Sequence, residues 1–164
     1  MKILPFIIAT TLSLPALADR LPIPADATPA FRTECGSCHF TFPPALLAAD
    51  DWRRVMADLE RHYGDNASLD DRTRRQIEDF LVRHAGSGRR VSGAGATDGV
   101  LPRLTFTRWF LKEHDEVPAA VWKDKAVGSA ANCAACHTKA EQGSFREREI
   151  RMPGTGGGWR HERD

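Results

Sequence analysis

The chain has 164 residues, 41% hydrophobic and 27% charged, with 23 Lys and Arg set against 22 Asp and Glu. That is a globular composition, which excludes collagen-like, coiled-coil and wholly disordered architectures. The near-zero net charge, with no region read as concentrating cations without matching acids, argues against a nucleic-acid binder.

Lys2, the apolar run from Ile3 to Leu14 and the small-residue site Ala16-Leu17-Ala18 have the layout of a secretory signal peptide. Residues 1–18 are read as that leader, cleaved after Ala18; an uncleaved N-terminal anchor is the alternative. No later stretch is apolar enough to span a bilayer. Cleavage leaves 146 residues with 22 basic and 22 acidic side chains. The expected location is the periplasm, an oxidising compartment.

Residues 19–30, with Pro22, Pro24 and Pro29, read as an extended lead-in. Phe31 to His39 then brings in the sequence Cys35-Gly36-Ser37-Cys38-His39. A helix is expected from about Pro44 to Tyr63, because Trp52, Val55, Met56, Leu59 and Tyr63 share one face. A second is expected from Ser68, with Asp71 completing a box-like start and Ile77, Phe80, Leu81 and His84 forming its stripe. Residues 86–99 contain five glycines and no apolar period, and read as a flexible linker between two lobes, 19–85 and 100–152. A third helix is expected over about Thr105 to Asp115, and Pro118 breaks or restarts the chain. A helical segment around Ser129 to Lys139 carries Cys133-Ala134-Ala135-Cys136-His137, and residues 153–164 read as a flexible tail. The fold class is therefore mainly α, with two small helical lobes.

The four cysteines decide the chemistry. Both pairs have the form C-x-x-C-H, the attachment sequence of a c-type haem. Two thiols add to the two vinyl groups of the porphyrin, and the two-residue gap presents both sulfurs to one porphyrin edge. The adjacent histidine then reaches the iron as an axial ligand. Cys35, Cys38, Cys133 and Cys136 are thus the candidate attachment residues for two haems, with His39 and His137 as proximal ligands. Three other readings exist: local disulfides, a thioredoxin-like redox pair, and one zinc ion held by both pairs. Cys35 and Cys133 lie 98 residues apart, far for a zinc module, and none of the three explains a histidine after each pair.

The opposite face of each iron decides whether the protein binds small molecules or only passes electrons. The available groups are His62, His84, His114, His161, Met56 and Met152. His161 lies in the tail, Met56 faces the core side of its helix, and Met152 precedes Pro153. His62 follows His39 by 23 residues and His114 precedes His137 by 23, a symmetry in spacing. Periodicity alone favours His84, which lies squarely in an apolar stripe; its other reading is a packed histidine near a helix C-terminus.

Certain segments narrow the choice. They are Glu34 to His39 with Pro43-Pro44, His62-Tyr63-Gly64-Asp65-Asn66-Ala67, Trp109-Phe110, Glu113 to Pro118, and Asn132 to His137. In these the chain resembles the small bacterial dihaem cytochromes c that donate electrons to the oxygen-binding sphaeroides haem protein, over about Phe31 to Pro153. The resemblance implies two covalently bound haem c groups, each with two histidine ligands: His62 joins His39 and His114 joins His137. It implies a first lobe similar to a class I cytochrome c and a smaller, distinct second lobe. It also implies an electron carrier and not an enzyme, between a cytochrome b-type donor in the membrane and the oxygen-binding haem protein as acceptor. The alternative is a peroxidase-like haem enzyme or gas sensor with one open axial site. Lobes of this size bury little surface on their own. The haem-free chain is therefore expected to be largely unfolded; native-like circular dichroism in such a preparation would contradict this.

Overall fold

The first helix, α1 (Pro29–Gly36), is started by Thr28, whose hydroxyl accepts from the Phe31 amide at 3.1 Å. Pro29 stands at its first position, where a missing amide proton costs nothing. The computed structural model describes residues 19–95, 97 and 99–153. The leader expected over 1–18, and the tail beyond residue 153 with His161, lie outside the described residues.

The helix expected over Pro44–Tyr63 is divided into three. A 3₁₀ turn at Pro44–Leu46 is followed by extended Leu47, then α2 (Ala49–Ala57), then a second 3₁₀ turn at Leu59–Arg61. The first break lets adjacent Leu46 and Leu47 both reach the interior, and Trp52 Nε1 closes it by donating to the Pro44 carbonyl at 2.7 Å. The next helix, α3 (Asp71–Arg83), starts three residues later than the expected Ser68. Its cap is Asp70, whose carboxylate accepts from the amides of Arg72 and Thr73. The stripe Ile77, Phe80 and Leu81 is buried as its period requires. It packs on α2, and Phe31 of α1 meets Phe80 at 4.6 Å between ring centroids.

Where described, the segment read as a flexible linker is packed. Residues Gly88–Val91 form a 3₁₀ turn, Val91 is buried, and Ala94 belongs to the core that holds Phe31, Trp52, Ile77 and Phe80. Gly86 is a contact position. Its amide donates to Leu47 O at 2.9 Å, and a Cβ there would lie 2.2 Å from the Ala45 carbonyl oxygen. Glycine was read as flexibility; here it permits close approach.

The helix expected over Thr105–Asp115 is likewise interrupted, by Thr107. This buried hydroxyl donates to Leu104 O and accepts from the Phe110 amide, ending a 3₁₀ turn (Leu104–Phe106) and starting α4 (Arg108–Glu113). Pro118 opens a short α5 (Ala119–Trp122). The expected helix at Ser129–Lys139 is reduced to a 3₁₀ turn, Cys133–Ala135. A second core gathers Val121, Val127 and Met152. No strand occurs among the described residues, only isolated bridges.

The lead-in is laced to the far end of the chain. Leu21 N donates to Gly143 O and Phe145 N donates to Asp19 O, both at 2.9 Å, around a bridge between Arg20 and Ser144. Gly143 has φ +69°, and a Cβ there would lie 2.5 Å from Pro22 Cα. Gly143→Ala should therefore destabilise the holoprotein by about 1–3 kcal/mol, and Phe80→Ala by about 3–5 kcal/mol. Urea unfolding midpoints check both; a wild-type midpoint for either variant would contradict the packing described.

Candidate haem sites

The end of α1 delivers the first motif. Cys35 is half-buried against the first core, while Cys38 and His39 are exposed. His39 Nδ1 donates to the Phe40 carbonyl at 2.7 Å. A carbonyl only accepts, so Nδ1 carries the proton and Nε2 keeps its lone pair. His62 comes from a tight turn after the 3₁₀ turn Leu59–Arg61, in which Asp65 N donates to His62 O and Ala67 N to Leu59 O. Tyr63 takes a left-handed φ of 54°, which turns the chain back directly after the histidine. The His39 and His62 rings stand 6.2 Å apart between centroids, with planes 16° from parallel. Burial, then the nearby His39, holds the His62 pKa below its usual value.

The second pair is assembled differently. His114 ends α4, donating from Nδ1 to the Phe110 carbonyl at 2.8 Å and stacking on the Phe110 ring at 4.1 Å. His137 follows the Cys133–Ala135 turn, with its amide on Cys133 O and a bridge to Ile150. Asn132 holds that turn through Nδ2 to Val127 O at 3.0 Å. The two rings stand 6.1 Å apart with planes at 77°. Burial lowers His114, and burial followed by His114 lowers His137 to about 4, so both imidazoles are neutral at pH 7.

These separations fit a metal between each pair. Two metal–imidazole bonds of about 2 Å each and about 1 Å from each nitrogen to its ring centre span about 6 Å. In each pair one ring is fixed through Nδ1 to a carbonyl. The other, His62 or His137, has a buried Nδ1 with no partner. An unpaired buried nitrogen costs roughly 1–3 kcal/mol, and coordination through the other ring nitrogen is what can hold such a ring in place.

The remaining residues fall elsewhere. His84, favoured by periodicity, donates from Nε2 to the Asp26 carboxylate of the lead-in at 2.9 Å and sits against the Phe80 ring. Met56 and Met152 pack in the first and second cores. No disulfide joins any of the four cysteines, and burial pushes the thiols of Cys35 and Cys133 up to about 11. A thioredoxin-like pair sits beside a βαβ unit, and among the described residues there is no strand to form one. Among the described residues no three His, Cys, Asp or Glu side chains gather as a metal-ion site, which removes the zinc reading. A cleft of about 480 Å³ is lined from both motifs, by Gly36, Cys38 and His39 on one side and Asn132 and Ala134 on the other. Between the sites, Phe40 meets Phe145 at 6.5 Å, and Phe145 meets His137 at 5.2 Å. The sequence reading did not single out Phe145, and a lone aromatic outside any helical period carries no signal that could have done so.

The family model for dihaem cytochrome c matches residues 31–145. The chain belongs to the dihaem cytochrome c family. It is similar to the dihaem cytochrome c of Rhodobacter sphaeroides, at 43% identity and a TM-score of 0.62, over 73% of this chain and 98% of that one. It is also similar to that of Shewanella baltica OS155, at 38% identity and a TM-score of 0.65, over 77% and 93%. No curated protein sequence matches the chain. Family membership gives it two covalently bound haem c groups and a place among electron-transfer proteins. The mainly helical fold class read from the sequence agrees with these structures.

As a family member it should hold two haems per chain in a pyridine haemochrome assay, both retained after acid–acetone extraction; a loss of either haem would count against it. Thr107→Ala removes the cap of α4 and should cost about 1 kcal/mol, read as a lower thermal midpoint; an unchanged midpoint would show that the cap contributes nothing.

Proposed function

We propose that this dihaem cytochrome c is an exported, periplasmic relay for single electrons, with haems attached at Cys35/Cys38 and Cys133/Cys136. In this reading His39 and His62 ligate the first iron, and His114 and His137 the second. The observation that carries it is the pair of imidazole separations, 6.2 and 6.1 Å, each matching one metal between two rings. The lobes of the relay are 19–85 and 100–152, joined by 86–99, and the leader 1–18 directs export.

When bound, each haem supplies an iron that cycles between ferric and ferrous states. The protein's part is to keep each iron closed on both faces. His39 and His114 are oriented by backbone carbonyls, so their Nε2 lone pairs are presented in fixed positions. His62 and His137 are neutral through burial, the form in which imidazole ligates. With both faces filled, no site is left for a substrate, and geometry changes little on electron exchange. Two histidines per iron, without the methionine that raises potential, suit low reduction potentials. The donor is proposed to be a cytochrome b-type membrane protein and the acceptor an oxygen-binding haem protein. Such contacts are small and transient.

Carbon monoxide should leave the spectrum of the reduced protein unchanged; a shift at one haem would favour the enzyme or sensor. His62→Ala and His114→Ala should each convert one haem to a high-spin form, while His84→Ala should not. Conversion by His84→Ala alone would overturn the first assignment. The ferric paramagnetic resonance spectrum should show two distinct low-spin centres, because one ring pair is near parallel and the other crossed; a single signal would contradict that.

A further inference from the structure

The chain is nearly neutral as a whole, but its cations are not evenly spread. Residues 86–112 contain Arg89, Arg90, Arg103, Arg108 and Lys112 against a single acid, Asp98. This corrects the even distribution read from the whole sequence, which total charge conceals. Its described parts are tied together: Arg103 N donates to Ala94 O at 2.7 Å, and Arg108 N to Ser92 O at 2.9 Å. The Arg90 guanidinium lies 5.1 Å over the Trp109 ring, and that of Arg103 lies 4.7 Å over the Tyr63 ring. Tyr63 ties the segment to the first site, since its ring contacts His62 at 4.8 Å and its hydroxyl donates to the Pro102 carbonyl. Of the acids in the His62 turn, Asp58 is taken up by Arg61, leaving Glu60 and Asp65. None of the five cations forms an ion pair among the described residues.

We propose that Arg89, Arg90, Arg103 and Arg108 form a docking face for an acidic single-electron redox protein, which exchanges electrons on the His62 side of the first haem. The inference rests on the electron-carrier reading and on His62 as ligand. A guanidinium laid on an aromatic ring keeps its in-plane donors for carboxylates, a geometry that selects acidic side chains over a diffuse negative surface. One electron moves in the exchange: the partner's centre is oxidised as Fe(III) becomes Fe(II), with no bond made or broken.

The test mixes oxidised holoprotein with a reduced plant-type ferredoxin, an acidic low-potential protein, in a stopped-flow instrument. Methyl viologen radical cation serves as a small reductant that needs no docking face. The ferredoxin rate should fall steeply as NaCl is raised, and by about tenfold or more in a combined Arg89→Gln, Arg90→Gln, Arg108→Gln variant. The viologen rate should be the same in both proteins, and Lys at the three positions should restore only part of the ferredoxin rate, because an ammonium keeps the charge but not the planar fork. Arg103 is left in place because it packs on Tyr63. A ferredoxin rate indifferent to salt, or equal in the Gln variant, overturns the proposal. So does an unchanged ferredoxin rate with lost binding to phosphatidylglycerol vesicles, which would make the face a lipid contact. If even viologen cannot reduce the wild-type protein, the carrier reading itself falls, and the docking face with it.

Discussion

The separation of two imidazole rings, held near 6 Å twice over, is the constraint around which the chain is organised. Each pair joins a histidine beside a C-x-x-C sequence to one delivered from elsewhere in the chain. The delivery differs: His62 arrives on a turn bent by a left-handed tyrosine, His114 as the residue that caps the end of a short helix. In the proposed ligation both need close backbone support, because an axial bond tolerates little displacement. That support explains features that otherwise look incidental, such as the buried Thr107 hydroxyl that fixes where α4 begins.

The two halves are unequal in what they bury. The first core stacks three helices around Phe31, Trp52, Ile77 and Phe80, and recruits Ala94 from beyond them. The second has Val121, Val127 and Met152, with partly buried neighbours such as Trp122 and Ile150. A lobe with so little apolar matter of its own leans on its cofactor for stability. The ring planes differ too, near parallel in the first pair and crossed in the second.

Much of this was legible in the sequence, and for identifiable reasons. A covalent attachment signature is local, so the two C-x-x-C-H units stand out without any knowledge of the fold. The α3 stripe was legible because thirteen residues repeat the helical period more than three times. What failed to show depends on contacts far apart in the chain. His84 occupies the favoured stripe, yet its ring nitrogen reaches Asp26, which no period reveals. The interruptions at Leu47 and Thr107 come from side chains and carbonyls that satisfy one another locally, against the helical pattern. The glycine-rich stretch looked loose because composition cannot distinguish a glycine that moves from one that lets two backbones touch.

The lacing of Asp19 to Leu21 onto Gly143 to Phe145 has a consequence for how the molecule is completed. The first described residues to leave the ribosome have their hydrogen-bonding partners among the last. More than a hundred residues separate the two ends, so the closing knot of the fold is tied only in a chain that is present through residue 145.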